Sequence, residues 1–151
     1  MNRELQDLIA RAEERFLADG DLKLLESYVA SIPERLATYR ILRDRELTMV
    51  QAVADGASEA LPGVAEADLK KALQGLLLVV RYCAMGILTD DENLLKQRLL
   101  GWLEQVSGPD TKKANEVIYK LFNQQVRQHL SEGQMNLLQP FITTAQVTLI
   151  Y

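Results

Sequence analysis

Few side chains in this chain of 151 residues could perform chemistry, and they are widely separated. His129 is the single histidine, so the sequence offers little material for a histidine-based metal site or a Ser-His-Asp arrangement. It lies near the end of a predicted helix, where the helix dipole favours a surface cation. Cys83 is the single cysteine and lies among apolar neighbours, which is typical of a buried structural thiol. These residues predict no disulfide and no catalytic centre.

The acidic run Asp90-Asp91-Glu92 is the other group that could attract a metal ion. Capping and the helix dipole both favour acidic residues at a helix start, so we interpret the run as a cap. Gly86 and Gly101 lie inside predicted helices, where close packing of a neighbour explains them better than phosphate binding. The sequence contains no phosphate-binding glycine loop, CxxC pair or HExxH motif. We therefore expect a non-enzymatic protein with no metal site.

Composition predicts one ordinary globular domain. Hydrophobic residues make up 48% of the chain and charged residues 25%, which is enough apolar material for a core. The net charge of -4 argues against nucleic acid, whose phosphates require clustered lysine and arginine. The first residues alternate in charge and form no apolar run, so no signal peptide is expected. A single cysteine is compatible with a reducing cytoplasm.

Apolar residues recur at helical spacing through the chain and predict an all-α fold of about seven helices. The central one is expected between Asp68 and Asp91, because apolar residues from Leu69 to Leu88 cover nearly every face of the helix. A helix that is apolar all round is normally buried by other elements. Lysine, glutamine and arginine interrupt this run, so it is a poor membrane span.

The first 32 residues are predicted to form a two-helix hairpin, and residues 33–151 a globular body, within a single domain of residues 1–151. Gly20 is expected to end the first helix and Asp21 to cap the second. Such an arm has an apolar seam that another surface must bury.

Prolines and glycines predict the later boundaries. Pro33 suits the first turn of a third helix, which we expect to end at Asp55-Gly56. A small, turn-rich loop should follow at Ala57 to Ala67. The last stretch, Gln134 to Tyr151, is predicted to be helical, although Pro140 would kink a helix and the threonines and Val147 after it favour a strand.

Four stretches occur in a distinctive order. Ala10 to Val29 has an aromatic-leucine pair before a turn at Gly20, and Arg81 to Asp91 is an Arg-Tyr pair followed by small and apolar residues. A helix containing Leu99-Leu100-Gly101-Trp102 and a break at Gly108-Pro109 come next. Together these stretches resemble the phycobiliprotein family, the globin-like light-harvesting subunits of phycobilisomes. The resemblance covers almost the whole chain and implies an all-α, globin-like fold with an N-terminal two-helix hairpin.

The resemblance also implies that the pigment site is altered. The family's bilin-attaching cysteine falls at Ala72, and its Arg-Asp pair falls at Gln74 and Gly75. Leu77 stands at the acidic position that contacts the pyrrole nitrogens. A thioether needs a sulfur atom, so the covalent site is expected to be lost. Cys83 lies about 16 Å further along the helix, which is too far to hold the same chromophore.

The family's dimer contact is altered as well. In the family, an aspartate on the first helix of one subunit pairs with an arginine on the central helix of its partner. Arg81 matches that arginine, whereas Arg11 stands where the aspartate would be. Two facing arginines would repel, so we expect another mode of association or a partner that supplies the acid.

These observations predict a phycobiliprotein-like binding or assembly factor of the photosynthetic apparatus, without covalent bilin or another cofactor. Its expected partners are phycobilisome or photosystem proteins, in an oligomer or hetero-complex formed through the hairpin. The expected location is the cytoplasm, including the cytoplasmic face of thylakoid membranes. The predicted partner-binding residues are Leu5, Ile9, Arg11, Phe16 and Arg81.

The alternative prediction is a reversible, non-covalent carrier or sensor of a tetrapyrrole, either bilin or haem. Such a site needs a concave apolar surface with a few convergent polar groups. Gln74, Arg81 and Tyr82 are the candidate contacts. A bilin lyase activity ranks below both hypotheses, because no group of residues supports it.

Overall fold

The computed structural model describes residues 2–151 as a set of packed helices, and no strand occurs in that range. The elements are α1 (Arg3–Glu14), α2 (Asp19–Ala60), α3 (Glu66–Thr89), α4 (Asn93–Leu95), a π-helical segment (Lys96–Leu100), α5 (Gly101–Val106), α6 (Pro109–His129) and α7 (Glu132–Ile150). The predicted all-α, globin-like fold with an N-terminal hairpin is confirmed.

The central helix is α3, as its all-round apolar pattern predicted. It packs against α2, α6 and α7. By length and composition alone α3 could also cross a membrane, a property that core helices of soluble proteins share. Its buried residues are Ala72, Leu76, Val79, Val80, Cys83, Ala84, Gly86 and Ile87.

One long helix, α2, stands where two helices were predicted. It continues for 42 residues, so the expected boundary between residues 32 and 33 and the expected stop at Asp55-Gly56 are wrong. Pro33 lies inside α2 and not at a first turn. The carbonyl of Val29, which proline cannot pair, belongs to an exposed residue that water can reach. Gly56 lies inside α2 and packs against Leu121. A Cβ added to Gly56 would lie 3.1 Å from Leu121 Cδ1.

The N-terminal arm consists of α1 and the start of α2, and Asp21 joins them. Gly20 does not end the first helix, because it lies within the first turn of α2. The Asp21 carboxylate accepts a hydrogen bond from the Ala18 amide at 3.1 Å and pairs with Arg11 at 2.9 Å. The Ala18 hydrogen bond, followed by the charges of Arg11 and Arg15, lowers the pKa of Asp21. Asp21 thus caps α2 from inside its first turn and holds the hairpin together.

The remaining boundaries are close to the predictions. The loop expected at Ala57 to Ala67 is shorter and occupies residues 61–65. Asp91 accepts a hydrogen bond from the Asn93 amide at 3.0 Å, which confirms its predicted capping role. The helix predicted for Gln134 to Tyr151 is confirmed as α7, which runs through Pro140.

Arg35, on α2, caps the C-terminal end of α3. Its Nη1 donates to the Ile87 carbonyl at 2.7 Å, and its Nη2 lies 3.2 Å from a carboxylate oxygen of Asp90. Asp90 ends the helix in the left-handed conformation, with a φ of 49°. This largely covered cation satisfies a free carbonyl and opposes the negative end of the helix dipole.

The arm supplies further donors to the same end of α3. The Tyr28 hydroxyl donates to the Leu88 carbonyl at 3.0 Å, and the Asn2 backbone amide donates to the Thr89 carbonyl at 3.1 Å. The Asn2 side-chain amide also donates to Asp90. These bonds fix the arm to the body of the protein.

The two glycines singled out in the sequence have different surroundings. A Cβ added to Gly86 would overlap Phe141 Cε1 and would lie 3.1 Å from the Asp91 carbonyl oxygen. Close packing is therefore confirmed at Gly86. At Gly101 no atom lies within 4 Å of an added Cβ, so the packing explanation is wrong there.

Candidate functional site

The position that the resemblance assigns to pigment attachment is closed. Ala72 is only 2% exposed and lines a cavity of about 20 Å³ between α3, α5 and α6. Such a space holds about one water molecule, so a tetrapyrrole does not fit. Polar side chains from α6, Thr111 and Asn115, also line it. Position 72 therefore does not fit a covalently attached bilin, because it offers no sulfur atom and its side chain is buried.

Cys83, the single thiol, is sealed in the core. It is fully buried, and burial raises the pKa of its thiol. The reactive thiolate is therefore suppressed, and no ligand reaches the sulfur. The prediction of a buried structural cysteine is confirmed.

The structure brings together no alternative reaction centre. No group of three or more His, Cys, Asp or Glu side chains that could hold a metal ion occurs among residues 2–151. His129 lies in the last turn of α6, where the helix dipole favours a cation.

A larger groove runs along the outer side of α3 and α5, and we call it the α3–α5 groove. Its volume is about 570 Å³, and its lining includes Leu77 and Leu78 from α3 and Trp102 from α5. Trp102 is 56% exposed. Of the three side chains predicted to contact a non-covalent tetrapyrrole, Gln74 and Arg81 line this groove and Tyr82 does not.

Each arginine of the predicted dimer contact is paired within its own chain. Arg81 donates through Nε and Nη2 to the two carboxylate oxygens of Glu46, at 2.7 and 3.2 Å. This hydrogen bonding raises the pKa of Arg81. Arg11 pairs with Asp21 through Nη2 alone, at 2.9 Å. A carboxylate of the same chain therefore meets each of the two charges.

The predicted contact residues of the arm fall into two groups. Leu5 is buried, so it stabilises the chain itself and is not available to a partner, contrary to the prediction. Ile9 is 55% exposed and Phe16 is 100% exposed. The start of α2 adds exposed apolar residues, which were not among the predicted partner-binding residues. We call the exposed set the arm surface, and it comprises Ile9, Phe16, Leu22, Leu25 and Val29.

These features define an all-helical, globin-like protein with an N-terminal arm. A family model described as "Phycobilisome protein" matches residues 8–142 of the chain. The chain therefore belongs to the phycobilisome protein family, and it is a light-harvesting-related protein of the photosynthetic apparatus. Proteins of this family are soluble structural subunits that carry pigment, assemble with similar subunits and associate with the thylakoid surface. No curated protein matches the chain significantly.

Proposed function

We propose that the chain is a non-enzymatic binding or assembly factor of the photosynthetic apparatus that carries no covalent bilin. The observation that carries this proposal is at Ala72, where a buried methyl group faces a cavity of about 20 Å³. The resemblance assigns the pigment-attaching cysteine to this position. The buried Cys83 offers no substitute thiol. A protein that keeps the family's fold but cannot attach a pigment would act by binding other proteins.

The arm surface is the proposed docking surface for a phycobilisome or photosystem protein. Its apolar side chains lie on the two helices of one hairpin and on the connection between them, where Phe16 has no cover from its own chain. Exposed apolar patches of this kind mark interaction sites. Arg11 and Arg81, already paired in their own chain, would adjust which partner is accepted. The proposed location is the cytoplasm, at the cytoplasmic face of thylakoid membranes.

Phe16→Ser should reduce capture of the native partner by about tenfold or more, because large aromatic anchors carry much of the binding energy of an interface. The fold should not change, since Phe16 is fully exposed. The measurement is a pull-down from soluble extract and from membranes of the native host, with circular dichroism to verify folding.

Val147→Ser is the matched control for this experiment. Val147 is 59% exposed on α7, so the substitution removes a similar apolar side chain outside the arm surface. It should leave capture unchanged. If Phe16→Ser retains the same partners as the control, the arm surface is not the docking site.

Reversible binding of bilin or haem is the second candidate function. The observation that favours it is the α3–α5 groove, whose volume lies within the range of small-molecule sites and whose rim includes Gln74 and Arg81. Titration with biliverdin and with haem distinguishes the two functions. Saturable quenching of Trp102 fluorescence favours the carrier, and unchanged fluorescence removes it.

A further inference from the structure

The α3–α5 groove is lined by basic side chains although the whole chain is acidic, and Glu46 pairs with one of them from outside the groove. The net charge of the protein is -4, yet the groove is lined by two cations, Lys71 and Arg81, and by no carboxylate of the described residues. Leu77 and Leu78 stand between the two cations along α3, and Trp102 of α5 adds a further apolar side chain to the lining. An occupant with an apolar face and negatively charged ends matches this pattern.

The spacing of the cations sets the length of that occupant. Lys71 and Arg81 are ten residues apart on α3, which corresponds to about 15 Å along the helix axis. Two acidic residues eleven positions apart on another helix lie on one face, about three turns or 16 Å apart. A helix lying along the groove can therefore present a carboxylate to each cation.

Both cations retain unused donors. Lys71 has no ion-pair or hydrogen-bond partner in the part of the chain that the structure describes. Arg81 uses Nε and Nη2 for Glu46, which leaves Nη1 free on a side chain that is 63% exposed. Trp102, which lines the same groove, is more than half exposed. Tryptophan and arginine are enriched among residues that dominate interface binding energy.

We propose that the α3–α5 groove docks an acidic amphipathic helix of a partner protein. The apolar side chains of that helix pack on Leu77, Leu78 and Trp102, and two of its carboxylates pair with Lys71 and Arg81. This is a helix-in-groove contact with charge complementarity at both ends. The groove is a second surface in addition to the arm surface, so the proposal goes beyond the proposed function.

Fluorescence of Trp102, the only tryptophan in the sequence, reports directly on the groove. The probe is a synthetic helical peptide of about 18 residues with a leucine stripe and two glutamates eleven positions apart. A control peptide has lysine in place of both glutamates. We expect a saturable blue shift with the acidic peptide and at least about tenfold weaker binding of the basic one.

Lys71→Glu tests the charge without touching the apolar walls. Lys71 is exposed, so this variant should fold normally, bind the acidic peptide more weakly and bind the basic peptide more tightly. Equal affinity for both peptides, or no shift with either, would overturn the proposal. A shift with anionic lipid vesicles but not with the acidic peptide would also overturn it. None of these outcomes affects the Phe16 experiment, so the two proposals fail independently.

Discussion

Gly86→Ala should destabilise the protein by about 1–3 kcal/mol, because it forces an extra methyl group into a packed core. The added Cβ would overlap Phe141 Cε1 and lie 3.0 Å from Phe141 Cζ. The Phe141 ring is only 4% exposed, so it cannot move without disturbing its own neighbours. Urea denaturation of the two proteins measures the difference in the free energy of unfolding.

Gly101→Ala is the matched control, because it makes the same chemical change in another helix. No atom lies within 4 Å of the added Cβ, and the backbone of Gly101 is helical, with φ of -60° and ψ of -40°. Alanine favours a helix by about 1 kcal/mol relative to glycine, so this variant should be more stable. If both variants lose similar free energy of unfolding, close contact with Phe141 is not the reason that glycine is needed at position 86.

Arg35→Ala should lower the free energy of unfolding by about 1.5–3 kcal/mol, the usual contribution of a hydrogen bond to a charged group. The substitution removes the donor to the Ile87 carbonyl and the cation that faces Asp90. Because Arg35 and the arm meet the same end of α3, the arm should also become more susceptible to proteolysis. Arg35→Lys should restore little, since lysine cannot reproduce the planar, two-pronged contact.

Arg43→Ala provides the comparison for Arg35. Arg43 also pairs with an aspartate, Asp44, at 2.7 Å, but both side chains are more than half exposed. Exposed pairs contribute little to stability, so this variant should unfold almost as the parent protein does. If removing Arg43 is as damaging as removing Arg35, burial at the end of α3 is not what gives Arg35 its effect.

The helices could be predicted where the apolar pattern was strong. They were predicted less well where a single glycine or proline was interpreted as the end of a helix. The position of α3 followed from an apolar run that covers almost every face of one helix. Gly20, Pro33 and Gly56 were each interpreted as a boundary, yet all three lie inside α2. At Gly56 the packing of α2 against α6 outweighs the modest local preference of glycine, whereas Gly20 and Pro33 lie before the buried part of α2.

The positions and burial of thiol groups were easier to predict than the ion pairs and the exposed residues of the surface. The absence of a thiol at Ala72 and the burial of Cys83 follow from residue type and local pattern. The pairing of Arg81 with Glu46 joins residues 35 positions apart, so only the folded chain brings them together. The burial of Leu5 and the exposure of Leu22 and Leu25 likewise depend on which face of an amphipathic helix the tertiary structure covers.

On the proposed function, a phycobilisome-family protein with alanine where the resemblance places the attaching cysteine should carry no covalent pigment. The most direct test is the intact mass of the protein purified from its native host, combined with zinc-enhanced fluorescence after denaturing electrophoresis. We predict the mass of the polypeptide without a tetrapyrrole adduct, and no zinc-enhanced band. A tetrapyrrole that remains attached after denaturation would contradict a bilin-free association factor.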